Sequence, residues 1–231
     1  MRIFIVTVCI ILLVIIILNL YTFSYIDKLD KTLIDIYNNY DYNTGDIILC
    51  RYVLDPLKPV DEYLYKISLS SSFYRGFTHT AILVKLDNIP YVLNLTPDEY
   101  FCEYNQKLIR EKPVLNKMSS LLNEYHGNIY VIKYKGHITN EYTKNSIKYI
   151  FNQGYLYDNE TFTNVMRLIF DTDEKKMMCA DFVVKVLQHL KINLKYITNH
   201  RYNISDILKL TNESSLYDSN IYTLKILSLP Q

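Results

Sequence analysis

Cys179, His79 and Asn94 stand far apart in a chain of 231 residues, yet they are the side-chain types that thiol catalysis uses. A cysteine nucleophile needs a base beside the thiol and, usually, a third group that orients the base. The attacking species is the thiolate, which forms more readily where unpaired backbone N–H groups and the positive end of a helix dipole face the sulfur. The stretch Met177-Met178-Cys179-Ala180-Asp181-Phe182-Val183-Val184-Lys185-Val186-Leu187-Gln188-His189-Leu190 offers that setting. Its apolar residues Phe182, Val183, Val186, Leu187 and Leu190 keep the three-and-four spacing of a helix that buries one face, which puts Cys179 in the first turn. The bland alternative is that Cys179 is a small buried hydrophobe.

His79 and Asn94 have to be carried to that sulfur by strands. Thr78 to Leu86, the turn Asp87-Asn88-Ile89-Pro90, and Tyr91 to Thr96 predict a β-hairpin, with His79 opening one strand and Asn94 inside the other. A polar side chain within such apolar runs needs a partner, so these two are more informative than histidines in polar loops. Taken singly, His79 also fits a surface position at a strand start, and Asn94 a polar residue turned toward a loop.

The remaining elements follow from the same patterns. Asn43-Thr44-Gly45-Asp46 is a turn signal ahead of a β-rich run from Ile47 to Val53, and Asp55 to Pro59 then breaks regular structure. Asp61 to Phe73 fits either a helix or an irregular arm. Asn128 to Tyr134 predicts a strand, Glu141 to Asn152 a helix ended by Gly154, and Phe162 to Phe170 another helix. The tail holds a strand-like Leu194 to Ile197, a short helix near Ile204 to Leu210 and a terminal run from Tyr222 to Leu229. Strands and helices are mixed without a repeat, which predicts an α+β domain.

Ahead of it, Ile3 to Leu18 is apolar except for Thr7 and Cys9 and continues weakly to Phe23. About twenty residues of helix cross a bilayer core, and no small-x-small cleavage pattern follows, so an uncleaved transmembrane anchor is expected over residues 1–24. Residues 25–42 then form a juxtamembrane stalk or short helix, and residues 43–231 the globular domain. Membrane contact runs through residues 3–23. The orientation stays open, because Arg2 faces Lys28 and Lys31 interleaved with Asp27 and Asp30.

Lysine plus arginine (25) and aspartate plus glutamate (24) nearly cancel, and no basic stripe is present, which excludes nucleic acid as an expected partner. Cys9, Cys50, Cys102 and Cys179 form neither a C-x-x-C pair nor a Cys/His cluster, so neither a metal site nor any other cofactor is expected. Three cysteines outside the apolar run are an odd number for a disulfide framework, which favours a reducing compartment and makes Cys50 and Cys102 core thiols. His126, His137, His189 and His200 are expected on the surface or in loops.

Taken in order, Thr44-Gly45-Asp46-Ile47-Ile48-Leu49, Phe77-Thr78-His79-Thr80-Ala81-Ile82-Leu83-Val84, Tyr91-Val92-Leu93-Asn94 and Cys179-Ala180-Asp181-Phe182-Val183 resemble the circularly permuted NlpC-like hydrolases. The resemblance brackets roughly residues 43–190 and is greatest to the YiiX-like branch, with relatives in poxviruses and other large DNA viruses. It implies a circularly permuted papain-like fold, an antiparallel sheet packed against the nucleophile helix. It also implies Cys179 as nucleophile and His79 as general base. Asn94 falls where that branch often carries glutamate; an amide can still orient the ring, though without charge. Gly154-Tyr155-Leu156-Tyr157-Asp158 resembles the family's glycine-tyrosine-aspartate segment, which makes Tyr155, Tyr157 and Asp158 structural or substrate-binding.

The activity so implied is hydrolysis of an amide or ester by a membrane-anchored thiol enzyme, with a peptide, amide or lipid-ester substrate, at a virion or host-cell membrane. Two other readings stand beside it: an inactive, membrane-anchored interaction module of the same fold, and a lipid acyltransferase. The latter is weakened by the lack of a second histidine near Asn94. Sequons at Asn94, Asn159, Asn203 and Asn212 are expected by chance in an asparagine-rich chain, and a glycan on Asn94 would block the site. The oligomeric state is not legible.

Overall fold

The structure is a computed structural model, which describes residues 33–35, 40–52, 77–125, 127–158, 175–196 and 202–225. Its chain order is β1 (Leu33–Asp35), β2 (Ile47–Tyr52), β3 (His79–Leu86), β4 (Ile89–Leu95), β5 (Glu99–Cys102), β6 (Lys107–Arg110) and β7 (Pro113–Lys117), then α1 (Met118–Glu124), β8 (Gly127–Ile132), α2 (Asn140–Asn152), β9 (Leu156–Tyr157), β10 (Lys176–Met177), α3 (Cys179–His189), α4 (Ile204–Asn212) and β11 (Ile221–Lys225). Seven strands form one sheet in the order β1-β11-β8-β2-β3-β4-β7. Every neighbouring pair is antiparallel except β1 with β11. The α+β class expected from the sequence is therefore present, with a largely antiparallel sheet.

Both faces of the sheet are covered, which explains why β2 and β3 are almost continuously apolar rather than alternating. On one face Ile47, Leu49, Ile82, Val84, Leu93 and Leu95 pack with Phe182, Val183, Val186 and Leu187 of α3 and with Ile147 and Ile150 of α2. On the other, Ile48, Cys50, Ala81, Leu83, Val92, Ile129 and Val131 pack with Met118 of α1, and Tyr40, Tyr42 and Tyr222 close over them. The apolar stripe read along α3 is thus the stripe that seats the helix, chiefly against β3.

The β3–β4 hairpin turns on Asp87 and Asn88 with φ of 49° and 66°, the left-handed pair that matches the twist of a two-residue hairpin. Ahead of β2, Gly45 has φ +101°, and a Cβ there would lie 2.9 Å from both Ile192 and Tyr134. That turn buries Asp46, whose carboxylate accepts Tyr40 Oη–H at 3.0 Å, Asn43 N–H at 2.8 Å and Tyr134 N–H at 2.8 Å. Burial nevertheless pushes its pKa up to about 7, against those three donors and Lys133.

Several expectations change. Leu33–Asp35, read as stalk, is a strand paired in parallel with β11, so its Leu-Ile-Asp triplet answers to a partner far along the chain rather than to a local period. Leu194 to Tyr196 forms no strand, because its backbone closes on itself through Leu194 N–H to Ile192 O and Tyr196 N–H to Leu194 O. The β5–β6 ribbon, β7 and α1 fall where the sequence has no clear period; they are short and only partly buried. Among the described residues no helix is long and apolar enough to cross a membrane. The apolar run at residues 3–23, the stretch Asp61 to Phe73 and the expected helix Phe162 to Phe170 lie outside the described residues.

Candidate active site

The backbone of β3 sets up the site. Leu83 N–H donates to Asp46 O on the β2 side, and alternate N–H groups of an antiparallel strand point to opposite neighbours, so Thr80 N–H points toward β4. The β3–β4 ladder, however, runs only from Leu86↔Ile89 to Ile82↔Leu93. Beyond that end Thr80 N–H has no strand partner, and it bonds the Cys179 sulfur instead. The opening of the ladder is what admits the tip of α3 between the strands' ends.

His79 lies at this end of β3, level with Cys50 of β2. Its Nε2 is 2.6 Å from Asn94 Oδ1. The amide oxygen can only accept, so Nε2 carries the proton and the neutral ring is left with its lone pair on Nδ1. The ring also hydrogen-bonds the Cys179 side chain. The order Asn94, His79, Cys179 is thus a continuous hydrogen-bonded relay from β4 through β3 to α3.

Cys179 is the first residue of α3, 6% exposed, and Met178 ahead of it offers no side-chain cap. The N–H groups of the first turn are therefore available to the sulfur, and that of Ala180 bonds it. Burial alone would raise the thiol pKa. The facing imidazole, its hydrogen bond and the Thr80 and Ala180 N–H groups outweigh burial and hold it below the ordinary thiol value. For His79 burial pushes down, but the charge and hydrogen bond of Cys179, the bond to Asn94 and the Asp98 carboxylate leave it above the ordinary imidazole value. Opposite shifts of this kind favour the thiolate–imidazolium pair. Cys50, free and 1% exposed, is pushed up to about 12 by burial and by Cys179, which makes it the inert thiol of the two.

Asp181, two residues along α3, anchors this tip. Its carboxylate accepts Tyr202 N–H at 2.6 Å and Met178 N–H at 3.4 Å, tying the start of α3 to the segment that leads into α4. Sequence reasoning passed over Asp181, although an acid at the third helical position is an N-terminal signal. Thr80 had no signal at all, because its contribution is a backbone group.

Tyr155, Tyr157 and Asp158 divide. Tyr155 is 8% exposed, its ring edge-on to Phe182 with centroids 6.1 Å apart and its hydroxyl 3.2 Å from His189 Nε2 at the far end of α3. That is a core position for Tyr155, and the half-buried His189 at the end of α3 packs against its hydroxyl and against the Tyr149 ring. Tyr157 lies in β9, which pairs with β10 just ahead of Cys179, and Asp158 N–H donates to Met177 O at 3.1 Å. Cys102 and Cys50 are buried, as expected of core thiols, whereas His137 lines an open polar cleft of about 420 Å³ with Lys85, Asp87 and Asn140. That cleft is at the opposite end of β3 from His79. His126 and His200 are outside the described residues. Among the described residues no group of three His, Cys, Asp or Glu side chains is placed to hold a metal ion.

No protein-family model matches this chain, and no curated protein does. Among solved structures it is similar to the crystal structure of the metalloprotein yiiX from Escherichia coli O157:H7, at 16% identity and a TM-score of 0.39, covering 81% of this chain and 90% of that one.

Proposed function

We propose that this protein is a thiol hydrolase of the permuted papain-like, NlpC-like type, anchored to a membrane by residues 3–23, which cleaves an amide or ester through Cys179, His79 and Asn94. The observation that carries the reading is the relay from Asn94 Oδ1 through the His79 ring to a Cys179 sulfur at a helix start. Asn94 fixes the tautomer, so Nδ1 receives the thiol proton. The thiolate adds to the acyl carbonyl, and the backbone N–H groups at the start of α3 face the developing oxyanion. Imidazolium then returns its proton to the leaving amine or alcohol as the carbon–heteroatom bond breaks, giving a thioester on Cys179. Water, deprotonated by His79, attacks that thioester, releases the acid and restores the thiol.

The test is alkylation of the full chain with iodoacetamide across pH, read by mass spectrometry at each cysteine, together with turnover of p-nitrophenyl esters. Cys179 should react well below the pH at which a free thiol does, His79→Ala should abolish that advantage, and Cys179→Ser should abolish ester turnover. A Cys179 that alkylates with the pH profile of an ordinary thiol would overturn the reading and leave a non-catalytic interaction module on the same fold.

A further inference from the structure

We infer that the open cleft at the far end of β3 from His79 binds a small phosphate monoester, held by Lys85 Nζ, the Thr44 hydroxyl and the backbone of the Gly136–Ile138 loop. This is a second site, and it does not depend on what Cys179 does. Four pieces of chain meet there: the turn ahead of β2, the last residues of β3 with the hairpin turn, the loop after β8 and the start of α2. The cleft holds about 420 Å³, within the range of small-ligand sites.

The hydrogen-bonding capacity left over in the cleft is that of donors. Its one carboxylate, Asp87, is already neutralised, with Oδ1 accepting from Lys144 Nζ at 2.8 Å and from Asn140 Nδ2 at 2.7 Å. Asn140 Oδ1 is taken by the Asp87 N–H at 3.0 Å. Lys85 Nζ, by contrast, has a 3.7 Å contact to Asp41, whose side chain is 77% exposed, and a pair so open to water holds a lysine weakly. Thr44 is buried, and its hydroxyl accepts the Lys85 N–H at 2.9 Å. Among the described residues, the other partner of that hydroxyl is Thr143 Oγ1 at 3.5 Å, whose own proton goes to Thr139 O at 2.9 Å. The Thr44 proton is therefore left for the cleft. The N–H groups of Gly136, His137 and Ile138 likewise form no hydrogen bond among the described residues.

The loop that carries those N–H groups is fixed in place. Lys135 N–H donates to Leu216 O at 2.9 Å, Ile138 packs on the core, and a Cβ on Gly136 would overlap the Tyr134 side chain. A wall held in this way loses little freedom when a ligand arrives. Donors on separate walls suit an anion with oxygens in several directions better than a flat carboxylate. A phosphate monoester carries about −1.5 to −2 charge near neutral pH and three acceptor oxygens, which a lysine, a hydroxyl and backbone N–H groups can share. The cleft is larger than a phosphate group, so the ester's organic part fits beside it, against Ile138.

The test is titration of the full chain, with labelled histidine, by inorganic phosphate and by phenyl phosphate at fixed pH, ionic strength being held with sodium chloride. The His137 resonance, assigned by its loss in His137→Gln, should shift saturably with a Kd of about 0.1–1 mM, while His79 stays in place and acetate gives no saturation. Lys85→Met keeps the aliphatic stem and should weaken phosphate binding about 10-fold or more, whereas Lys85→Arg should keep most of it. Absence of saturation below about 10 mM overturns the inference, as does a shift confined to His79 or a Lys85→Met chain that binds phosphate unchanged. Should Lys85→Met fail to fold, the His137 and His79 shifts of the unaltered chain decide the matter. A Cys179 that alkylates as an ordinary thiol would remove the hydrolase reading and leave this site standing.

Discussion

In the proposed mechanism Asn94 sets which nitrogen of His79 faces Cys179. Its oxygen is 2.6 Å from His79 Nε2, and it selects the tautomer without stabilising the imidazolium by charge. Asn94→Ala should leave the ring free to turn and reduce ester turnover about 10–100-fold, with a smaller loss of alkylation at Cys179, since general base catalysis contributes about 10²–10⁴-fold and part of it survives without the orienting group. Asn94→Asp should act differently. A carboxylate there raises the His79 pKa, so the alkaline limb of the kcat/KM profile, which reports loss of the imidazolium proton, should move to higher pH by about one unit. An alkaline limb that stays in place would mean that residue 94 does not face the ring during turnover. Histidine and asparagine could be picked out of the sequence because such groups are costly inside apolar runs unless paired, and the cysteine because it stands at the start of a helix read from its apolar spacing. The Thr80 N–H could not, since every residue but proline has one and only the end of a ladder makes it special.

At the next scale, α3 and the turn before β2 hold the two halves of the site in place. Asp181 satisfies the N–H groups of Tyr202 and Met178, and it is 7% exposed. Asp181→Ala removes the acceptor for both, so it should cost about 2–4 kcal/mol in urea unfolding and lower Cys179 reactivity by loosening the tip of α3. Gly45 has φ +101° with the Ile192 and Tyr134 side chains 2.9 Å from where a Cβ would be. Gly45→Ala combines left-handed strain with overlap, and a loss of about 2–3 kcal/mol is expected from the same measurement. The helix and the hairpin were legible in advance because α3 repeats its apolar residues every three or four positions and the hairpin is bounded by turn residues. β1 was not, since a three-residue strand carries no period of its own and exists because β11 lies beside it.

For the molecule as a whole, Asp46 ties stability to pH. Its carboxyl has a folded pKa of about 7 against an ordinary value of 3.8, so between those values the folded chain binds a proton that the unfolded chain has lost. Stability from this group is therefore greatest below pH 3.8 and declines as pH rises to about 7, by on the order of 2–4 kcal/mol in all. Asp46→Asn should unfold earlier at every pH, because its NH₂ confronts N–H donors, yet it should lose most of the decline between pH 5 and 8 in urea unfolding. A decline of equal size in the variant would place the titration elsewhere. The linear order of residues was enough to reveal the mixed class, the helix behind Cys179 and the hairpin bearing His79 and Asn94, since each follows from spacing within some fifteen residues. Which ladder stops short, and therefore whose N–H meets the sulfur, depended on strands and a helix brought together from distant positions. Those are relations across space, and hydrophobic periodicity along one segment carries no information about them.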